Sequence, residues 1–509
     1  MTQAGNECLE VRNPATGRVA GTVPVFSAAA VETLVHEVRR HQPGWEAMPP
    51  QGRKRWLLAW QHWILDNIEH IADVIQSETG KPRVDALLEP AAGMDLIAYY
   101  ARNAGKFLAD EHPAPHSLLA RAKRITVRYR PYQAVGVIAP WNYPLAIPML
   151  DVVPALAAGA SVVLKPSELT PLSALALQRG WQEIGAPPVF AVATGGGETG
   201  AAVVNHVDYV QFTGSTGTGR KIAVACAERL IPCSLELGGK DPAIVLADAD
   251  LDRAVAGVAY GGLVNSGQVC ASVERVYVEE PVYDVFVAKL VDHVGKVRQG
   301  CDQTSPGNDV GTLASDRQRE IVREHVDEAR AKGARALTGG RAPELPGNYY
   351  LPTILVDVDH GMKCMTEETF GPTLPVMKVS DEQEAIELAN DSVYGLSATV
   401  WTKSSIRGRR VAEQLNVGSV NINDALANIF SFALPMGGWK QSGIGSRGGA
   451  NGLRKYCQKQ AITASRFRTG STEPLWLPYK FKTARFALAL MQWTSTRRIR
   501  IRSDKSPRP

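Results

Sequence analysis

Between Gln133 and Gly239 five short apolar runs alternate with four longer amphipathic ones. The runs are "QAVGVIAP", "SVVLKPS", "VFAVATG", "DYVQFTGS" and "PCSLELGG". A short run with no polar alternation is a strand covered on both faces. The segments between them repeat their apolar residues at helical spacing and supply that cover. Such alternation implies a parallel sheet with helices on both sides. The expected class is α/β, with a doubly wound parallel-sheet domain of nucleotide-binding type and a second α/β domain. Ligands of such sheets sit beyond the carboxyl ends of the strands.

The flanking segments extend this organisation. Residues 28–110 carry apolar residues and tryptophans at helical spacing in "VETLVHEVRRH" and "KRWLLAWQHWILDNIEHIADVIQSETGK". "KRITVRYRPYQAVGVIAP" alternates first, as an exposed or interface strand does, and then turns fully apolar. A second α/β stretch runs from about 240 to 435, and the glycine-rich "PMGGWKQSGIGSRGGANG" reads as a long functional loop. With 509 residues, two or three domains are expected.

Charge and cysteine usage exclude several functions. Nine Lys/Arg fall in residues 471–509 against Glu473 and Asp504, so the rest of the chain is nearly neutral and no nucleic-acid footprint is expected. Seven cysteines, at 8, 226, 233, 270, 301, 364 and 457, form no CxxC pair and no ligand spacing. They read as reduced thiols of a cytoplasmic protein with no metal site. "MTQAGNECLEVRNPATG" lacks the basic and apolar segments of a secretory signal.

Polar or glycine clusters follow each apolar run. Ser215 and the "FTGSTGTG" amides suit a phosphate at a helix N-terminus, or form an ordinary capped turn. Lys165 and Glu168 follow the second run, where an acidic side chain can bind a ribose hydroxyl. No GxGxxG follows the first run; "PWNYP" stands there. Cys270, in "VNSGQVCASVERV", is either a buried structural thiol or a nucleophile. A nucleophile needs a base and an oxyanion donor. Glu236 and Asn142, each ending a strand, are the candidates for those parts.

In this order, "PWNYP", "KPSE", "FTGST", "ELGGK", "GQVC", "EETFGP" and "PMGGWKQSGIG" resemble the aldehyde dehydrogenase superfamily over roughly residues 10–465, and the Glu236–Cys270 separation of 34 fits its signature. The resemblance implies roles. Cys270 would add to the aldehyde carbon, Asn142 and the Cys270 N–H would hold the oxyanion, and Glu236 would activate the hydrolytic water. Lys165 and Glu168 would hold the adenosine ribose, and Gly214 and Ser215 the pyrophosphate. Glu368 would bind the nicotinamide ribose with Phe370 against the ring, while Trp141, Gly195 and Gly197 would line the cofactor cleft. The implied domains are 1–120 with 132–238 for the cofactor, 239–445 for catalysis, and 121–131 with 457–467 for oligomerisation into a dimer or tetramer. Residues 470–509 would form a basic tail. Glu168 suits a free 2′-hydroxyl and favours NAD, with Lys165 leaving NADP possible.

Two positions depart from the family pattern. Asp151 and Arg447 stand where many relatives carry lysine and glutamate, and are read either as a charge-swapped pair near a proton route from Glu236 or as two unrelated surface charges. The pocket segment after "PWN" offers Ile147, Met149 and Leu150, and "DALANIFSFALPM" is apolar and aromatic. Both imply an uncharged aliphatic or aromatic aldehyde, whereas the final motif resembles a bacterial succinate-semialdehyde dehydrogenase subgroup. Glu236 argues against a CoA-acylating relative, and the intact trio of Cys270, Glu236 and Asn142 against a non-catalytic scaffold. The tail is too interrupted to span a bilayer, which takes roughly 20 apolar residues. Residues 475–502 suit peripheral contact with an anionic membrane, or packing over a neighbouring subunit or the substrate mouth.

Overall fold

The five apolar runs form the strands Ala134–Ile138, Ser161–Lys165, Phe190–Val192, Tyr209–Thr213 and Cys233–Glu236 in the computed structural model, which describes residues 7–301, 307–466, 473 and 476–495. Every residue of these strands except Cys233 is buried. They pair in parallel. Phe190–Val192 lies at one side, followed by Ser161–Lys165, Ala134–Ile138, Tyr209–Thr213 and Cys233–Glu236. The direction of winding therefore reverses between Ala134–Ile138 and Tyr209–Thr213, where a doubly wound sheet opens its crevice. "PWN" follows the first of these strands and Gly214–Ser215 the second.

The glycine-rich segment expected as a loop is partly ordered into this sheet. Gly443–Ile444 is a sixth, antiparallel strand, with Gly443 opposite Glu236 and Ile444 opposite Leu235. The glycine explains the difference. Gly443 has φ +152°, and a Cβ there would come within 2.2 Å of the Leu235 carbonyl oxygen. Only a bare backbone approaches the strand edge so closely.

The amino-terminal helices are Ala28–Ala47, Pro50–Asp66, Ile68–Thr79 and Arg83–Phe107. The long periodic run is broken at Asn67, whose backbone leaves the helical region and whose side-chain amide donates to the Trp63 carbonyl. Trp45 and Trp60 are buried, and both meet Trp181 edge-on with centroids 5.8 and 5.3 Å apart. Trp63 is only half-buried and lies over Gly180, where a Cβ would reach its ring at 2.3 Å.

A second sheet has seven strands, six of them parallel. Asp241–Val245 and Val273–Glu279 are central, and Arg335–Thr338 pairs antiparallel at one edge. Apolar clusters cover both faces, one including Phe286 and Leu290 and the other Tyr277 and Tyr350. The two sheets belong to one compact unit, residues 1–107 and 131–456. A second unit comprises 108–130 and 457–509. It pairs the strand Lys123–Pro131 with Cys457–Ser465 and carries the helix Phe481–Ser495. Among the described residues no helix is long and apolar enough to cross a membrane.

Candidate active site

The stretch leading to Cys270 is a left-handed turn. Asn265, Ser266 and Gly267 have φ of +52°, +59° and +72°. Each of the first two positions is strained for a residue with a Cβ. Gly267 is required, because a Cβ there would meet the Gly371 carbonyl oxygen at 2.1 Å. The turn is held by side chains: Gln268 Nε2 donates to the Asn265 and Thr312 carbonyls at 3.0 and 3.1 Å, and its Oε1 accepts from Ala314 N at 2.8 Å.

Asn142 comes from the loop after Ala134–Ile138. Its Nδ2 donates to the Gln268 carbonyl at 2.9 Å, which joins it to the Cys270 turn. An amide nitrogen carries two hydrogens, so one donor remains. Glu236 ends its strand with both carboxylate oxygens buried and without a hydrogen-bond partner. Burial pushes it up to about 7, against the opposing pull of Arg447 and Lys455. Burial likewise pushes the Cys270 thiol up to about 12, so a nucleophilic role would require a base beside it.

Opposite Cys270, Glu368 accepts from Gly239 N at 3.1 Å, and a Cβ on Gly238 would meet its carboxylate at 2.4 Å. Phe370 stands edge-on to Trp141 at 5.4 Å. Ser215 caps the helix Thr216–Glu228, its Oγ accepting from Thr218 N. A cavity of about 830 Å³ is lined by Trp141, Asn142, Gly214, Ser215, Glu236, Cys270, Glu368 and Phe370. Lys165, Glu168, Gly195 and Gly197 do not line it; they stand at the ends of the next two strands of the same sheet. Glu168 is half-exposed and reaches buried Lys165 at 3.4 Å. Gly195 has φ +147° and leads into the helix that starts at Gly197.

A second cavity, of about 800 Å³, opens on the other side of Cys270 and is walled by Leu96, Tyr143, Leu150, Ile429, Phe430 and Phe432. Cys270 and Ile147 line both. The sulfur thus stands where a polar cleft meets an apolar one.

Asp151 and Arg447 are buried partners. Arg447 Nε and Nη2 donate to Asp151 Oδ2 at 3.0 and 2.6 Å, and Tyr456 Oη and Lys455 Nζ reach Asp151 Oδ1 at 2.8 and 3.3 Å. Burial would raise the Asp151 carboxyl, but Arg447 and Lys455 outweigh it and hold it low. Lys455 went unremarked in the sequence, as did Glu274. The Glu274 carboxylate accepts from Thr369 N and Phe370 N at 2.8 Å each and pairs with buried Lys240 at 2.6 Å. It fixes the segment that carries Glu368 and Phe370. Lys240 lies inside "ELGGK", so a signal existed for it; Glu274 looks like an ordinary strand residue.

A family model described as "Aldehyde dehydrogenase family" matches residues 1–462. The chain belongs to the aldehyde dehydrogenase family. A Mycolicibacterium smegmatis protein, provisionally named succinate-semialdehyde dehydrogenase (NADP(+)), is 42% identical over 455 residues, covering 89% of this chain and 87% of its own. The 4,4'-diapolycopene aldehyde oxidase of Methylomonas sp is also 42% identical, over 92% of this chain and 87% of its own. The structure of Mycobacterium tuberculosis aldehyde dehydrogenase complexed with NAD+ superposes with a TM-score of 0.86 at 34% identity, covering 92% of this chain and 96% of that one. The expected fold and family both hold, and the chain is an oxidoreductase that acts on aldehydes.

The Asp151–Arg447 pair should show strong coupling. Asp151→Asn leaves the buried Arg447 and Lys455 charges without their carboxylate and should cost about 3–5 kcal/mol, whereas Arg447→Gln leaves Asp151 paired with Lys455 and should cost less. The double variant should lose clearly less than the sum, measured by chemical denaturation and by steady-state rate.

Proposed function

We propose that this chain oxidises an uncharged, apolar aldehyde to its carboxylic acid through a thioester on Cys270. The observation that carries the reading is the position of Cys270 between the two cavities. The charged residues lining the apolar one, Glu89 and Arg447, are engaged in buried ion pairs with Lys81 and Asp151. Among the described lining residues Arg447 is the one cation, and Asp151 already partners it, which disfavours a second carboxylate such as a succinate semialdehyde would bring. The likeness to 4,4'-diapolycopene aldehyde oxidase supports the same direction.

Residues 134–236 supply the cofactor sheet and residues 241–422 the thiol-bearing one. Glu236 takes the proton as the sulfur adds to the carbonyl carbon. The oxyanion receives the free N–H of Asn142 Nδ2 and the Cys270 backbone N–H. Loss of one such donor typically costs about 10²–10³ in rate. Glu368, Phe370, Ser215 and Trp141 fit a nicotinamide dinucleotide: a carboxylate for ribose hydroxyls, aromatic walls, and a helix N-terminus for phosphate. Bound there, it supplies the hydride acceptor. Glu236 passes the thiol's proton to solvent and then takes one from a water that attacks the thioester; the C–S bond breaks, the acid leaves, and the departing sulfur recovers a proton to restore Cys270. Near pH 7 a carboxyl at about 7 takes and gives a proton with little penalty in either direction.

Glu168 favours NAD over NADP by repelling a 2′-phosphate. Glu168→Ala should raise the NADP-to-NAD ratio of kcat/KM by at least tenfold. Each methylene added to an aliphatic aldehyde should raise kcat/KM about fourfold until the cavity is full, from about 0.8 kcal/mol per buried CH₂. Hexanal should exceed succinate semialdehyde by at least 100-fold, and the reverse order would overturn the substrate class. Wild-type turnover should rise with pH through an apparent pKa near 7, because the base form of Glu236 accumulates above that value. Glu236→Gln should keep one burst of NADH per subunit at most, with kcat down by about 10²–10⁴.

The described tail supports peripheral contact with an anionic membrane. Trp476, Leu477, Tyr479, Phe481, Phe486 and Trp493 are exposed beside Lys480, Lys482 and Arg485. Aromatic residues next to cations suit the headgroup layer. The chain should co-sediment with anionic vesicles at low salt and lose this on truncation after Gly470. Failure to sediment at any salt would remove the membrane reading.

A further inference from the structure

Lys81 and Glu89 form an ion pair that is almost wholly buried, 2.6 Å apart with side-chain exposures of 2% and 0%. A buried pair often contributes little to stability compared with apolar residues of the same size. What this one touches suggests another use. Lys81 Nζ also donates to the Asn142 backbone carbonyl at 2.9 Å. It stands 4.3 Å from the centre of the Tyr143 ring. Glu89 Oε2 accepts from the backbone N–H groups of Leu145 and Ala146, each at 3.0 Å. The pair therefore grips the loop 142–146 at both ends.

The same segment also grips the thiol turn. Asp85 Oδ2 accepts from Asn265 N at 3.2 Å. Asn265 Nδ2 in turn donates to the Asn142 carbonyl at 3.0 Å and to the Gln268 carbonyl at 3.2 Å. Lys81 and Asn265 thus occupy both lone pairs of the Asn142 carbonyl. The Asn142 amide is pinned to Gln268 O, two residues before the sulfur. Residues 81–89 are the one described stretch that touches both the loop bearing the amide and the turn bearing the thiol through charged side chains.

We propose that the Lys81–Glu89 pair is a positioning brace. It sets where the Asn142 amide stands relative to Cys270, and so the stabilisation of the oxyanion, without contacting the reacting atoms. The proposal rests on the reading of Asn142 as oxyanion donor. A displacement of about 1 Å in such a donor can cost on the order of 10² in rate.

The test is a cycle between the brace and the donor. Lys81→Met with Glu89→Gln removes both charges of the pair together; buried Asp85 then keeps its bond from Asn265 N but loses the nearby Lys81 charge. In otherwise native enzyme this double variant should lose about 10- to 100-fold in kcat, with KM for the aldehyde within about threefold. Its rate of alkylation by iodoacetamide should be unchanged, because the brace does not hold the thiol's proton. Lys81→Arg, which keeps charge and donors, should recover most of the rate. In an Asn142→Ala background the double variant should cause little further loss, since the brace acts through an amide already removed.

Full additivity in that background, with Asn142→Ala itself slow, would overturn the brace alone. A full rate in Asn142→Ala would overturn the donor assignment and the brace with it. A parallel fall of kcat, alkylation rate and cofactor affinity would show a general structural role and also overturn the brace. If the double variant does not fold, Glu89→Gln alone keeps one acceptor oxygen for Leu145 and Ala146 and leaves Lys81 beside the buried Asp85 carboxylate. It should then show the same selective loss in kcat, about 3- to 10-fold.

Discussion

The desolvation of one carboxylate, Glu236, is the condition on which the site rests. A carboxylate taken from water without a partner is disfavoured by several kcal/mol, and its proton affinity rises until the two states balance. The surrounding fold keeps it in that condition. Its strand is paired on one side at Thr213 and on the other at Gly443, while neither carboxylate oxygen has a hydrogen-bond partner. Arg447 and Lys455 lie near enough to temper the effect of burial, and Asp151 offsets their charge. A group near 7 results from opposing contributions, each larger than the difference between them.

The division between polar and apolar space follows from the same constraint. The cleft holding Glu236 and Glu368 is a place where charge is tolerated only in chosen positions; burial, with Glu274 nearby, pushes Glu368 up to about 8. The cavity behind Cys270 is walled by leucine, isoleucine and aromatic side chains. On the proposed reading, a carbonyl that reaches the sulfur from the apolar side would present its oxygen to the amides and its carbon to the thiol. Geometry then separates what is recognised by shape from what is recognised by charge.

Much of this was legible in the chain because the signals are local. Apolar runs and helical periodicity depend on neighbours a few residues apart, and they located all five parallel strands. Glycines marked the close approaches at Gly267 and Gly238. Asp151 and Arg447 are readable as a pair because each stands where many relatives carry the opposite charge, but that they meet across 296 residues, and meet buried, is visible only in the folded sheet. Lys81, Asp85 and Glu89 look like the polar face of an ordinary helix start; their partners lie 56 to 180 residues away. The strand Gly443–Ile444 was invisible for a similar reason. Two residues of glycine-rich sequence carry no strand pattern, and the pairing is decided by the edge they meet.

That late strand has a consequence for how the protein is made. Leu235 and Glu236 find their outer hydrogen-bond partners more than 200 residues further along the chain. A ribosome that has released the five parallel strands has therefore not yet supplied the sixth, at the edge beside Glu236. The outer backbone groups of Leu235 and Glu236 stay unpaired by this strand until residues 443–444 emerge, so the five parallel strands precede the closing of their own edge.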